Sequence, residues 1–161
     1  MTRPDSQDDA ASEPVLVSAC LMGVRCRYDG RANEDSELAR HLAGSGMKAV
    51  PFCPEEQGGL GTPRPAAWIE DTDAAAVVDG AARVVSETGE DVSDAFLSGA
   101  RAALATCQAQ GIRRAFLKER SPSCGTTQTH VDGQLTAGPG VTTEVLRRGG
   151  VRVEGIEGRR E

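Results

Sequence analysis

"PVLVSAC", residues 14–20, is a short apolar run, broken only by Ser18, that ends on a thiol. Its valines and its lack of strict alternation suit a strand covered on both faces, the situation of strands in a parallel sheet. "MKAVPFC", residues 47–53, reads as a second strand of the same kind. "RRAFLKE" (113–119) and "VRVEG" (151–155) read as two more. Helical signals separate them. "DSELARHLAGSG" (35–46) has Asp35 or Ser36 placed to cap a helix and Gly44 or Gly46 to end it. A long helix is predicted from Asp91 or Ser93 to Gln110, stopped by Gly111, and "VTTEVLRRGG" (141–150) is another with a glycine terminator. In "AAAVVDGAARVVSETGEDV" (74–92), two Val-containing runs flank Asp79-Gly80 and predict a hairpin; Asp132-Gly133 carries the same turn signal. Strands alternating with helices predict an α/β fold: a single domain over 14–161, a mainly parallel Rossmann-like sheet flanked by helices, and a small β-hairpin insertion. The polar, acidic residues 1–13 read as a disordered lead-in.

The 161 residues are enough to bury a sizeable core. With three Phe, one Tyr and one Trp, that core must be built mainly from Val, Leu, Ile and Ala. Asp and Glu number 24 against 18 Lys and Arg, a formal charge of −6 that opposes non-specific attraction to phosphate backbones and anionic membranes. No apolar run approaches a bilayer span, and the N-terminus lacks the apolar middle of a secretory signal. The expected compartment is a reducing cytoplasm, where the five cysteines are ligands, nucleophiles or buried thiols and not bridges.

The cysteines fall at informative places. Cys20 and Cys53 directly follow two predicted strands, and Cys124, in "SPSCG", lies a few residues past a third. The carboxyl side of an open α/β sheet carries the ligand crevice, and neighbouring strands lie about 4.8 Å apart. Loops leaving adjacent strand ends can therefore bring these sulfurs to one small inorganic centre. Cys26, six residues past Cys20, could join them or stand nearby. Cys107 sits among alanines at helical spacing and reads as a core residue. His41 and His130 have no partner at a metal-ligand spacing and read as structural.

The loops add polar groups. "CPEEQGGLGTPRP" (53–65) sets Glu55 beside Cys53, with prolines that fix the chain and glycines, Gly59 among them, that let its backbone approach a ligand. In "KERSPSCG" (118–125) the hydroxyls of Ser121 and Ser123 could donate to a bound anion or carbonyl, or could cap the turn. "RYDG" (27–30) reads as a turn closing the first loop.

Five blocks, "SACLMGVRCRYDG", "CPEEQGGLGTPRP", "GEDVSDAFLSGA", "KERSPSCG" and "GPGVTTEVLRRGG", together resemble the thiouracil desulfidase (thiouracil desulfurase) family, long labelled a domain of unknown function. The resemblance spans residues 15–155. It implies a cytoplasmic, oxygen-labile [4Fe-4S] protein whose cluster is held by Cys20, Cys53 and Cys124, leaving one iron open. It further implies that Cys26 matters for activity and that Glu55 and Ser121 contact substrate. The implied reaction is non-redox: 2-thiouracil yields uracil and hydrogensulfide, with the open iron binding the thione sulfur and Glu55 activating water. Ser123 and Gly59 are expected to line the substrate. The implied partner is a small thiolated pyrimidine.

Three other readings keep the same residues. A four-thiolate zinc site of Cys20, Cys26, Cys53 and Cys124 would make a structural module without catalysis. A metal-free thiol enzyme would use Cys124 or Cys20 as nucleophile, without any obvious histidine partner. Desulfuration of a thiolated nucleoside or tRNA would keep the cluster, against an acidic balance and few aromatic residues for stacking.

Overall fold

A computed structural model describes residues 12–32 and 34–157. The lead-in read at 1–13 lies outside them except for Ser12 and Glu13, and Glu13 opens the first strand. The strands are β1 (Glu13–Ser18), β2 (Met47–Phe52), β3 (Ala67–Ile69), β4 (Val84–Ser86), β5 (Arg114–Lys118), β6 (Gln128–Val131), β7 (Gln134–Ala137) and β8 (Arg152–Ile156). The helices are α1 (Ser36–Gly44), α2 (Pro54–Gln57), α3 (Ala74–Val78), α4 (Ser93–Gln110) and α5 (Val141–Arg148), with a 3-10 turn at Ala19–Met22. Among the described residues no helix is long and apolar enough to cross a membrane.

The fold is α/β, as its alternating pattern requires. A parallel sheet runs β2-β1-β5-β8, with Leu16 opposite Val50 on one side and Ala115 on the other. Successive side chains of β1 take opposite faces, and both faces are covered. Val15 and Val17 cluster with Phe116 and with Leu38 and Leu42 of α1. Leu16 clusters with Ala115, Leu117, Ala103, Cys107 and Leu146, on the side of α4 and α5. Each such aliphatic side chain contributes roughly 1.5–3 kcal/mol by leaving water. Helix α1 starts where Asp35 accepts the Leu38 N–H at 2.9 Å. Helix α4 stops at Gly111, whose φ of 67° is left-handed. Cys107 is buried in the core, as read. Strand β2 differs from its sequence reading: it is the sheet edge, with Lys48 and Pro51 exposed. An edge tolerates a residue that has no N–H to donate.

A second sheet, β4-β3-β6-β7, packs beside the first and mixes antiparallel with parallel pairs. The β6–β7 hairpin turns at Asp132-Gly133, the insertion its turn signal predicts. The hairpin expected around Asp79-Gly80 is absent. Residues 74–78 form α3 instead, because Asp73 accepts the Ala76 N–H at 3.0 Å and three alanines follow it. Ala74 and Val77, one helical turn apart, then share a buried face with Phe96, Ala100 and Val141. Helix α4 thus serves two cores: Phe96 and Ala100 pack on the second, Ala103 and Cys107 on the first.

Beyond β5, Glu119 is buried and anchors the loop that follows. Its carboxylate accepts the Thr126 hydroxyl at 2.5 Å and the N–H groups of Thr126, Thr127 and Gln128 at 2.6, 2.9 and 3.2 Å. Gly155 of β8 makes room, since a Cβ there would overlap the carboxylate and the Thr126 hydroxyl. Burial opposes ionisation of Glu119, but these donors outweigh it and hold its carboxyl down at about 2. A depressed folded-state value stabilises the fold above the ordinary carboxylate range, and the benefit disappears as pH falls from about 4.5 towards 2. Urea unfolding across that window is expected to lose roughly 2–3 kcal/mol through this group. Glu119→Gln should flatten that part of the profile and lower stability at pH 7; an unchanged profile would remove Glu119 as the anchor.

Candidate active site

The register of the parallel sheet sets three strand ends level. Ser18 pairs with Phe52, and the Lys118 N–H donates to the Ser18 hydroxyl at 2.8 Å. Cys20 sits in the 3-10 turn just past β1, buried, and Gly23 with φ 91° lets the chain turn back. Cys53 follows β2 as the residue before α2, whose first position is Pro54. Cys124 closes a turn in which the Ser121 hydroxyl oxygen accepts the N–H groups of Ser123 and Cys124 at 3.1 and 3.0 Å. Cys20, Cys26, Cys53 and Cys124 all line one cavity of about 330 Å³, a volume typical of small-molecule sites.

One arginine holds two of these loops together. Arg64 donates to Glu55 Oε2 through Nε at 2.8 Å, with Nη2 at 2.7 Å from the same oxygen. Nη2 also reaches the Cys26 carbonyl at 3.0 Å, and Nη1 reaches the Gly61 carbonyl and the Thr62 hydroxyl at 3.1 and 2.9 Å. Its backbone N–H donates to the Tyr28 carbonyl at 2.7 Å. The side chains of Arg64 and Glu55 are only 7% and 14% exposed, so water screens this pair weakly. The Cys53 thiol donates to the Cys26 carbonyl across 3.7 Å.

Glycines let the backbones approach. A Cβ on Gly99 of α4 would overlap the Pro54 carbonyl, and one on Gly58 would overlap the Ala95 carbonyl. Helix α2, and with it Cys53 and Glu55, is therefore seated on α4 by two missing side chains. A Cβ on Gly140 would lie 2.6 Å from the Ser123 carbonyl, and the Gly140 N–H donates to the Gly125 carbonyl at 2.7 Å. Four of the five quoted sequence blocks thus meet in two pairs of backbone contacts, one at Cys53 and one at Cys124.

The thiols of Cys26, Cys53 and Cys124 are held neutral. Cys26 is pushed up to about 12, chiefly by its hydrogen bond with Cys20; the bond with Cys53 opposes this, and burial adds to it. That same bond raises Cys53, with burial second. Burial pushes Cys124 up to about 12. Converging, desolvated sulfurs of this kind lose their protons to a soft cation, which replaces the missing hydration. The donor set suits a thiophilic metal group.

The cavity's remaining wall comes mostly from residues not singled out by the sequence reading. Trp68 on β3 and His130 on β6 are cross-strand neighbours, one step before the paired Ile69 and Val131. Both line the cavity, as do Tyr28, Arg64 and Lys118. The chain's one Trp and one Tyr therefore share a single cavity. His130 is held below its usual value, first by burial and then by Arg120, and is neutral at pH 7. Burial first and Arg120 second pull Lys118 down as well, and its ammonium donates to the Glu119 carbonyl at 2.9 Å. Lys118 was findable by the rule that marked the cysteines, since it ends β5 on the carboxyl side. Arg64 was findable only as the lone cation of the Gly/Pro loop.

Of the site residues expected from the sequence, Glu55, Ser121 and the four cysteines line the cavity. Two do not. Ser123 is fully buried with its hydroxyl 2.7 Å from that of Thr142, so it braces the turn to α5. Gly59 lies beyond α2 with φ 96°, beside a separate depression that also borders Leu60 and Phe96.

The sequence model of the 2-thiouracil desulfurase family matches residues 15–157. The chain is 39% identical over 142 residues to the uncharacterized protein YbbK of Bacillus subtilis (strain 168), a match covering 86% of this chain and 93% of that protein. Among solved structures it is similar to a [4Fe-4S]-dependent thiouracil desulfidase, TudS, with a TM-score of 0.75 and 44% identity. That match covers 89% of this chain and 90% of the other.

Removing one member of a nearly buried ion pair leaves the other charge uncompensated, at about 3–5 kcal/mol. Arg64→Gln is expected to lower the unfolding free energy by that order. Arg64→Gln combined with Glu55→Gln should cost clearly less than the two single changes summed. Additive losses in urea unfolding would show that the pair is not coupled.

Proposed function

The chain belongs to the 2-thiouracil desulfurase family, and from that premise we propose that it hydrolyses the carbon–sulfur bond of a small thiolated pyrimidine, 2-thiouracil plus water giving uracil plus hydrogen sulfide. The observation that carries this reading is the convergence of four thiols from three loops on a cavity that also holds the chain's one Trp and one Tyr. The thiols are soft, preassembled donors, and TudS, the similar solved protein, is named as [4Fe-4S]-dependent. A [4Fe-4S] group held by Cys20, Cys53 and Cys124 supplies, when bound, an iron with an open position, a Lewis acid for a soft thione sulfur.

The other residues perform binding and proton transfer. Trp68 offers a planar apolar face and His130 a neutral ring beside it, suited to a flat heterocycle. Tyr28 is 44% exposed and forms the outer edge of the cavity. Glu55 is the base that orients water and takes its proton: Arg64 occupies Oε2, which leaves Oε1 for that bond. The carbon–oxygen bond forms as the carbon–sulfur bond breaks, and the two protons of water end on the departing sulfide. No electron is gained or lost. The Ser121 oxygen already accepts two N–H groups, so its remaining role is to donate, and its hydroxyl steadies negative charge developing on the ring. Cys26, which lines the cavity beside Cys20 and Cys53, passes a proton to the leaving sulfur and regains one from Glu55, so the count of two water protons is kept. A cavity of this size suits a free base or nucleoside better than a folded RNA, in keeping with the net charge of −6.

The deciding experiment is anaerobic loading with iron and sulfide, then assay of sulfide released from 2-thiouracil; a loaded protein that releases none would overturn the reading. Glu55→Gln is expected to keep its iron and sulfide content while turnover falls about a hundredfold or more. Trp68→Leu should raise KM by about tenfold with a smaller effect on kcat, the size expected for losing one stacking face. A fall confined to kcat would remove Trp68 from substrate binding.

A further inference from the structure

Cys26 is the cavity thiol outside the three-cysteine ligand set, and it has a second pair of partners. The sulfurs of Cys26 and Cys53 and a carboxylate oxygen of Glu56 lie within 4.8 Å of one another. Two thiols and one carboxylate are the donor types that bind zinc-class cations tetrahedrally, with the fourth position left to water. The supporting hydrogen bonds are also in place. The Thr62 hydroxyl donates to the Glu56 carboxylate, and Arg64 donates both to that hydroxyl, at 2.9 Å, and to the Cys26 carbonyl, at 3.0 Å. Two of the three ligating residues are thus oriented by one Thr62–Arg64 network, the kind of outer support that sets metal affinity.

We propose that Cys26, Cys53 and Glu56 form a site for a thiophilic divalent cation, Zn²⁺ in class, whose occupancy excludes the iron-sulfur group because both need Cys53. The ligand set differs from a four-thiolate zinc site: it uses neither Cys20 nor Cys124, and it adds the exposed Glu56. Binding displaces the two thiol protons to solvent and leaves the cation's charge unchanged, so no oxidant or reductant takes part. The cation site stands without the desulfuration reading; only the exclusion rests on the assignment of Cys53 to the cluster. A free chain meeting zinc before iron and sulfide would be held in an inactive form, and zinc availability would regulate how much enzyme becomes active.

The test uses the full chain, kept anaerobic with a non-thiol reductant. Zn²⁺ affinity is measured by competition with a chromophoric chelator, and Co²⁺ reports thiolate ligation by its visible absorption. One cation per chain is expected, with Cys26→Ser and Glu56→Gln each weakening Zn²⁺ binding about tenfold or more. Glu56 is exposed, so Glu56→Gln does not threaten folding. Its iron and sulfide loading should tolerate about tenfold more Zn²⁺ than the parent, with parental sulfide release once loaded. Three results would overturn the proposal: no stoichiometric cation, loss of Zn²⁺ in Cys20→Ser or Cys124→Ser with Cys26→Ser and Glu56→Gln unaffected, or unimpaired cluster loading of the zinc-bound parent. Failure of the desulfuration reading looks different. The loaded parent would then release no sulfide, while the Zn²⁺ affinities of the variants would still fall as stated.

Discussion

The position of β1 between β2 and β5 constrains everything at the site. Parallel strands paired in register end at one level, so the chain segments leaving β1, β2 and β5 begin side by side. A thiol placed soon after each strand is then delivered to the same few ångströms without any sequence motif linking the three. This explains why the cysteines are spread over a hundred residues and yet border one cavity. It also explains why the neighbouring polypeptide is so rich in glycine: α2 and the Cys124 turn must sit directly on other backbone, at Gly99 and Gly140, to keep their sulfurs at that level.

The parallel sheet and its helices were legible because their signals are local and strong. A capping aspartate precedes α1, a glycine follows α4, and β1 and β5 are continuous apolar runs. The second sheet was less so. Strands β3 and β4 have three residues each, too few to display a period, and their neighbours are set by α3, which intervenes where a turn was expected. There Asp79-Gly80 ends a helix and does not join two strands. The same Asp-Gly pair at 132–133 does turn a hairpin, so the dipeptide marks a reversal and the flanking residues decide its kind.

The site divided along similar lines. Thiols are few and chemically distinctive, and their position after strands marked them. The polar residues were harder, because a serine in a tight turn serves the turn or a ligand with the same hydroxyl. Ser121 and Ser123 stand two residues apart, and only the packing of α5, through Thr142, shows that Ser123 faces inward. Arg64 was invisible for a different reason. Its partners, Glu55 and the Cys26 carbonyl, lie 9 and 38 residues away, and no local pattern records such a pairing.

Helix α4 carries one more implication. Its amino-terminal half packs on the second sheet, its carboxyl-terminal half on the first, and α2 rests on its flank at Gly99. Neither of the two cores on which α4 packs can open without disturbing that shared rod. The two sheets therefore melt as one cooperative unit, and slow amide exchange in α4 would extend across the boundary between them. A reactive centre carried at such a junction is shielded from partial unfolding, so solvent and oxidants reach it through the cavity mouth and not through a breathing core.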